Sequence, residues 1–521
     1  MAEVFPARSG DLTASVAGTL LHSRYDPGRE AARFLDAGLA DRTPATLLLL
    51  GAGLGYLATE ARSRFPTARI ILVSLTDTLR TEHAAAADDV LMVAGGVNAQ
   101  RQLERLIRPA DVAGLELLEW EPAVRAAPEA GAAAAAAVRE VLARRNAEIA
   151  TTAHFGRRYI RNALRGALFL AGAKAPWAPE VPVCVAASGP GLERAVPWIA
   201  RNRSHIELWA LSSAWEALSE RGLEPDVVVH QDAGYYAGLH LARGARRQLQ
   251  GTPAASVLMP LTAVMPPRPL RTRTFMLSQN TRIEADLLGA LGRTPPRVDE
   301  APTVAATAAA LALAMTDVPV YLAGLDLCRD DIRAHARPHA FEAYFRAREH
   351  RLDPLHSRIA ADSFDRSTPT GVGHMRTEPS LNLYASWFRE LPTAVAERLR
   401  RVAPSPVDIG AQEAERDVKN RGGGHDRTIA GNVAAGPVPA GPTPFLAVID
   451  TWAEEVEAFA AGAADSELAY LVSAPDYVAL LAARRRGDHD AATLASDRLR
   501  VVASALFSRL QDIAGAAEAG G

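Results

Sequence analysis

The chain predicts an α/β protein: two Rossmann-like parallel-sheet domains in tandem, followed by a helical C-terminal region. Three observations predict it. TLLLLGAGLGYLATEARSRFPTARIILVSLTD, from Thr46, reads as strand, glycine turn, helix and strand. VPVCVAASGPGLERAVPWIARNRSHIELWALSSAWEALSERGLEPDVVVHQDAG, from Val181, repeats that pattern, adds a helix and a third strand, and has Ser-Gly-Pro-Gly at its first crossover. Beyond the Gly/Pro-rich NRGGGHDRTIAGNVAAGPVPAGPT, apolar residues recur at helical spacing in FLAVIDTWAEEVEAFAAG and ASDRLRVVASALFSRLQDIAG. At 521 residues, more than one core is expected.

In chain order, REAARFLDAGLAD reads as a helix leading into the first unit, and residues 1–130 form the N-terminal Rossmann-like domain. PEAGAAAAAAVREVLARR opens a helical connector over 131–180. A central α/β domain follows over 181–418, with its last strand and helix signals in VPVYLAGLDL and LNLYASWFRELPTAVAERLRRV. Residues 419–443 read as a linker and 444–521 as a helical domain. The apolar run TVAATAAALALAMTDVPVYLAGL is broken by Asp317 and Pro319, so it predicts a core helix followed by a strand rather than a membrane span.

Composition excludes some classes. Net charge is −3 with 22% charged residues, which lacks the basic excess of a nucleic-acid binder. The two cysteines, Cys184 and Cys328, lie in apolar strand-like segments and allow no disulfide framework, which fits a reducing compartment. The N-terminus carries no charged region followed by an apolar core, so no secretory signal is read there. A cytoplasmic protein with neither nucleic-acid nor membrane partners is expected.

The first glycine turn, Gly51-Ala52-Gly53-Leu54-Gly55, has the strand and helix that a dinucleotide or S-adenosylmethionine site requires. Such a site wants an acid at the end of the next strand, yet that strand ends at Ser74 and the first acid is Asp77. A scaffold, with glycines for close helix–strand packing, is therefore expected, and methyl transfer stays open. The second turn, Ser188-Gly189-Pro190-Gly191, can offer backbone N–H groups to a phosphate, or can be an ordinary strand-to-helix turn. Ser212 and Ser213, Asp232 after VVVHQ, and Gly324 with Asp326 also stand at strand ends, and in a parallel sheet these converge on one rim. Glycine at 324 would let a ligand approach closely. Past this rim the chain is rich in Arg333, His335, Arg337, His339, Tyr344, His356, His374 and Arg376. His335 and His339 are four apart, but Pro338 between them argues against a helical zinc pair, and no metal site is expected. A histidine cluster beside arginines suits a reaction in which an acceptor hydroxyl loses a proton and a phosphate leaves. His154, Arg158, Arg161 and Arg165 share one helix face, which reads as a solvated stripe or an anion-facing one.

These motifs together resemble the motility-associated factor (Maf) family of flagellin glycosyltransferases. The resemblance is carried by LHSRYDPGREAARFL, LLLLGAGLGYLATE, AHFGRRYIRNAL, the loop at Ser188–Leu192, ALSSAWEALSERGLEPD, HQD, VYLAGLDL and MRTEPSLNLYASWF, in order over most of residues 20–415. The central domain also resembles the MptE-like pterin pyrophosphokinase domains and, more distantly, bacterial sialyltransferases. The resemblance implies transfer of a nonulosonic acid of the pseudaminic or legionaminic type from a CMP-activated sugar to Ser/Thr hydroxyls of flagellin. By the sialyltransferase comparison, Ser188, Gly189, Pro190, Gly191, Ser212, Ser213, Asp232, Gly324 and Asp326 would line the nucleotide-sugar site. His374 would be the base, with His339 and Tyr344 at the departing phosphate. No firm cofactor is implied, and Mg²⁺ stays open. Two alternatives remain: an ATP-dependent pterin-type pyrophosphokinase, and a non-catalytic flagellin-binding protein.

Overall fold

A computed structural model describes residues 2–51, 53–76, 86–92, 99–170, 179–418 and 443–519. Ala52, Asp77 and nearly all of the expected linker lie outside the described residues. The chain divides into two compact units, residues 1–157 with 451–508 and residues 158–450 with 509–521.

The first unit is built on a four-stranded parallel sheet in the order Asp89–Met92, Arg69–Ser74, Thr46–Leu50, Leu115–Glu119. Its two central strands are apolar over residues 47–50 and 70–73 because both faces are covered there. Leu47, Leu49, Ile70 and Leu72 pack on Leu35 and Leu39 of the helix Pro27–Leu39. Leu48, Leu50, Ile71 and Val73 pack instead on Leu103, Val138 and Val141. The 42-residue helix Pro128–Phe169 covers residues 131–169 of the expected connector, of which 171–178 lie outside the described residues. A small antiparallel sheet of Ala2–Pro6, Leu12–Val16 and Thr19–Leu20, not expected from the sequence, precedes this fold.

Residues 451–508 are grouped with this N-terminal sheet, not as a separate domain. Asp111, fully buried, accepts from Arg485 of the helix Ala474–Arg486 at 2.8 Å and also pairs with Arg69. A Cβ on Gly156 would stand 2.1 Å from the Leu471 carbonyl oxygen, so the long helix touches the helix Glu467–Val472 backbone to backbone.

The second unit holds an eight-stranded sheet. Its order is Thr274–Leu277, Ser256–Pro260, Val227–Val229, Glu207–Leu211, Val183–Ala186, Val320–Ala323, Leu399–Arg401, Gln412–Glu413. Every neighbouring pair is parallel. The expected core helix is Val304–Met315, whose Ala305, Ala308, Ala309 and Ala312 lie against Val183, Val185, Val320 and Leu322. Small side chains there let helix and sheet approach closely.

From Val183–Ala186 the chain builds outward on one side for four strands, then returns to place Val320–Ala323 on the other side. The topology therefore switches between these two strands, which in open α/β sheets is where ligands bind, beyond the carboxyl ends. An insertion over residues 329–378 follows at that edge. It contains the strands Arg329–Asp330, Thr368–Pro369 and Met375–Thr377 and the helices Glu342–Arg346 and Leu355–Arg366.

Candidate functional site

Both glycine turns are filled by the protein's own side chains. In the first unit, the Leu54 N–H donates to His22 Nε2 at 2.8 Å. A Cβ on Gly53, which has φ +55°, would lie 2.2 Å from that nitrogen. The imidazole stacks on Trp120 with centroids 5.5 Å apart and meets the Tyr56 ring edge-on. The space where a cofactor phosphate would approach thus holds a buried ring, and this geometry supports the scaffold reading of the turn.

In the second unit, Asp326 closes the Ser-Gly-Pro-Gly loop. Its carboxylate accepts the Gly191 N–H at 2.5 Å, at the start of the helix Leu192–Asn202. A Cβ on Gly189 or Gly191 would come within 2.3 Å or 2.1 Å of the Asp326 carboxylate oxygens. Burial raises the Asp326 pKa, while the Gly191 N–H and the Arg194 guanidinium pull it back. The carboxylate serves the anion-binding end of that helix. The Gly191 N–H is therefore committed within the protein.

Gly324 is needed for the same closure rather than for a ligand's approach. It has φ +63°, and a Cβ would stand 2.4 Å from the Ala187 carbonyl oxygen and 2.7 Å from Leu192 Cβ. Gly324→Ala is expected to cost about 2 kcal/mol through backbone strain and overpacking, read as a lower denaturation midpoint.

Beside this plug the rim gathers four histidines from three segments. Ser213 donates its hydroxyl to Ser188 Oγ at 3.0 Å, and Ser188 Oγ lies 3.2 Å from His335 Nδ1. His335 stacks on His339 with centroids 4.5 Å apart and planes 10° apart. His339 meets His240, of the short turn Tyr235–Leu241, edge-on at 5.1 Å. His230, which continues the strand Val227–Val229, holds Ser212 Oγ at 3.1 Å through Nδ1.

All four rings are held neutral. Burial pushes His230 down to about 4, helped by His240, and His240 to about 4, helped by His335. Burial lowers His339 to about 3, with His335 and His240 adding to it. His335 is lowered first by the protein crowded around it and then by the Arg329 guanidinium, although its ring keeps access to solvent.

This arrangement ties stability to pH. Unfolded, the histidines take up a proton near pH 6.5; folded, the buried His230 and His240 do so only near pH 4. Stability is therefore complete above about pH 6.5 and is lost as pH falls toward 4, by up to about 1.4 kcal/mol per pH unit for each ring. Urea melts at about pH 7 and 5.5 should show that loss, and His230→Asn should reduce its slope.

A cavity of about 470 Å³ opens beside the cluster, within the insertion. His335, His339 and His356 line it with Arg329, Arg333, Arg337, Arg346 and Arg358, the acids Glu342 and Asp362, and the rings of Phe341 and Phe345. The arginines are paired: Arg329 with Asp362 at 3.2 Å, Arg333 with Asp330 at 3.0 Å, Arg337 with Glu342 at 3.6 Å. Each guanidinium carries five donors, so pairing leaves N–H groups for a ligand. Arg329 is 8% exposed, and its buried Nε has no partner. Among the described residues no three His, Cys, Asp or Glu side chains converge as metal ligands. A divalent cation here would need ligand oxygens to complete its shell.

Of the residues the sequence singled out, Ser188, Ser212, Ser213 and His339 come together at the cluster. Gly189, Pro190, Gly191, Gly324 and Asp326 form the plugged loop beside it. Asp232 is exposed and lies near Tyr159, with no hydrogen bond to the cluster. Tyr344 packs on Tyr236, with the Arg348 guanidinium 3.7 Å from its ring centroid. His374 is exposed in the turn before Met375–Thr377; its carbonyl accepts from Asp331, and its ring neither lines the cavity nor touches the cluster. Pro338 does exclude a helix at 335–339, yet the two rings meet without one. His230 and His240 were missed. The available signal for His230 was its position directly after an apolar strand. Cys184 and Cys328 are buried free thiols, as expected.

Residues 165–331 match the family described as 6-hydroxymethylpterin diphosphokinase MptE-like. Two uncharacterized proteins of Treponema pallidum (strain Nichols) are similar to this chain. One is 33% identical over 261 residues, which is 49% of this chain and 52% of that protein. The other is 39% identical over 69 residues, which is 13% of this chain and 24% of that protein. The chain thus matches about half the length of the first of these relatives. Among solved structures, a Maf glycosyltransferase from Magnetospirillum magneticum AMB-1 superposes with a TM-score of 0.55. The superposition covers 99% of this chain and 90% of that one, at 13% identity. The expected resemblances are supported: an MptE-like segment in the centre, and over nearly the whole chain the fold of a Maf glycosyltransferase.

Proposed function

We propose that this chain is a glycosyltransferase that moves a nonulosonic acid of the pseudaminic or legionaminic type from its CMP donor to Ser/Thr hydroxyls of flagellin. The observation that carries the reading is the arginine-lined cavity bordered by neutral imidazoles, at the carboxyl rim where the sheet topology switches. Such a donor presents two anions, a phosphate and a carboxylate, and guanidinium groups suit both. Transfer forms a bond from the acceptor oxygen to the anomeric carbon. It breaks the bond from that carbon to the phosphate oxygen, and CMP leaves with the electron pair. A neutral imidazole is ready to take the acceptor's proton, and N–H donors stabilise the charge gathering on the phosphate. In this reading Ser188, Ser212 and Ser213, joined to the histidine cluster beside the cavity, serve the nucleotide side, and His339, which lines the cavity, serves the leaving group with Tyr344 nearby in the insertion.

Flagellin as acceptor, a cytoplasmic location and CMP recognition rest on the resemblance to the Maf family and the sialyltransferases. No helix of the described residues is long and apolar enough to cross a membrane. The test is direct: purified protein, flagellin and a CMP-activated nonulosonic acid should release CMP and add one sugar mass per modified hydroxyl. No CMP and unchanged flagellin would sink the reading. A second reading, ATP-dependent pyrophosphoryl transfer to a pterin-like alcohol, is favoured by the MptE-like match over 165–331. It requires AMP formation from ATP and Mg²⁺.

A further inference from the structure

Resting on the glycosyl-transfer reading, we propose that His335 is the general base of this site, held by a relay of Ser213 and Ser188, in place of the His374 position that the sialyltransferase resemblance implies. Three observations converge on it. His335 lines the cavity and keeps solvent access, whereas His374 does neither of the things a base needs there: it does not face the cavity or join the polar network. Its Nδ1 is engaged by Ser188 Oγ at 3.2 Å, and Ser188 Oγ in turn accepts from Ser213 at 3.0 Å. The base assigned here is the tautomer in which His335 Nδ1–H donates to Ser188 Oγ and Nε2 keeps its lone pair for the acceptor. The loop is fixed as well, since the Ala336 N–H donates to the Ser188 carbonyl at 2.8 Å. Stacking on His339 fixes the plane of the ring.

The step balances simply. The acceptor O–H gives its proton to His335 Nε2 as its oxygen bonds the anomeric carbon, CMP departs with the electrons of the broken C–O bond, and the imidazolium releases its proton to solvent. The groups facing His335 are Arg329, His240 and His339, with Ser188 and Ser213 beneath, and Arg333 and Arg337 in its own segment. The acids Glu342 and Asp362 line the same cavity, and burial together with the Arg329 guanidinium lowers the His335 pKa from its ordinary value. Glu193 lies behind them, bound to Arg333 and to the Arg337 N–H. Ser188 and Ser213 are positioning residues, because they act through the imidazole.

The full-length chain is tested with CMP-pseudaminic and CMP-legionaminic acid, flagellin as acceptor, and CMP release as the readout. His335→Gln should lower kcat about 100-fold or more while leaving the CMP dissociation constant within about 3-fold. His335→Gly should regain rate with added imidazole, which a structural role would not allow. Ser188→Ala should cost roughly 10-fold in kcat and move the acid limb of the rate–pH profile. If wild type turns over and His335→Gln matches it, or if His374→Ala abolishes turnover while His335→Gln does not, the assignment is overturned and the transfer reading stands. If wild type releases no CMP with either donor, both fall together.

Discussion

Asp326→Ala should destabilise the second unit by about 3 kcal/mol and give it a new affinity for small anions. The carboxylate is 4% exposed and accepts the Gly191 N–H, and Arg194 stands 3.8 Å away. Removing it leaves the start of the helix Leu192–Asn202 without its acceptor and takes away one of the carboxylates, beside Asp408, that face Arg401. The cavity left behind has the makings of an anion site: a helix N-terminus, two glycines and a guanidinium. Sulfate should therefore raise the melting temperature of Asp326→Ala by several degrees more than that of wild type. Asp326→Asn, which still accepts the hydrogen bond, should lose roughly half as much stability and gain little from sulfate. Equal sulfate shifts in all three proteins would mean that the carboxylate is not the occupant of a phosphate-type cradle.

The second large effect lies at Arg329. Arg329→Met should weaken CMP binding about 10- to 100-fold, which a lost charged hydrogen bond of about 1.5–3 kcal/mol would produce. It should also move the acid limb of the rate–pH profile upward. Arg329 is one of the groups that lowers the His335 pKa, so without it the base protonates closer to the ordinary histidine value. The rate carried by neutral His335 is present above that pKa and is lost as pH falls through it, so Arg329→Met loses activity earlier on acidification. Arg329→Lys keeps the charge, and hence the limb, but gives up the forked contact. Titration calorimetry with CMP and rate profiles on the three proteins check both parts. Unchanged affinity in Arg329→Met would remove the cavity from the binding account.

Local grammar carried much of this fold. Apolar runs between glycine turns located Thr46–Leu50, Arg69–Ser74, Val183–Ala186 and Val320–Ala323, because a parallel strand covered on both faces has little choice of residue. The interruption at Asp317 and Pro319 correctly separated helix from strand. What stayed hidden depends on contacts distant in sequence. The first glycine turn read as a scaffold and the second as either a phosphate loop or an ordinary turn; that His22 and Asp326 occupy them follows from pairings 32 and 135 residues apart. The C-terminal helices were visible by their period, but their association with the N-terminal sheet rests on Asp111 and Arg485, 374 residues apart. At the site, the rim serines and His339 were legible as strand-end and loop residues. The neutral histidine cluster was not, since His240 meets His339, and His230 stands near His240, only through the packing of a strand end and a short turn against the insertion. His374 was chosen by its order in the chain, and order does not fix which side of a small sheet a turn reaches.

On the proposed function, the insertion cavity of the second unit is the working site and takes a cytidine nucleotide. Thermal denaturation of wild type with CMP, ATP or S-adenosylmethionine, each at saturating concentration, tests it most directly. CMP should raise the midpoint by several degrees, Arg329→Met should largely remove this shift, and S-adenosylmethionine should have no effect because His22 fills the first glycine turn. Stabilisation by S-adenosylmethionine, or by ATP with none from CMP, would contradict it.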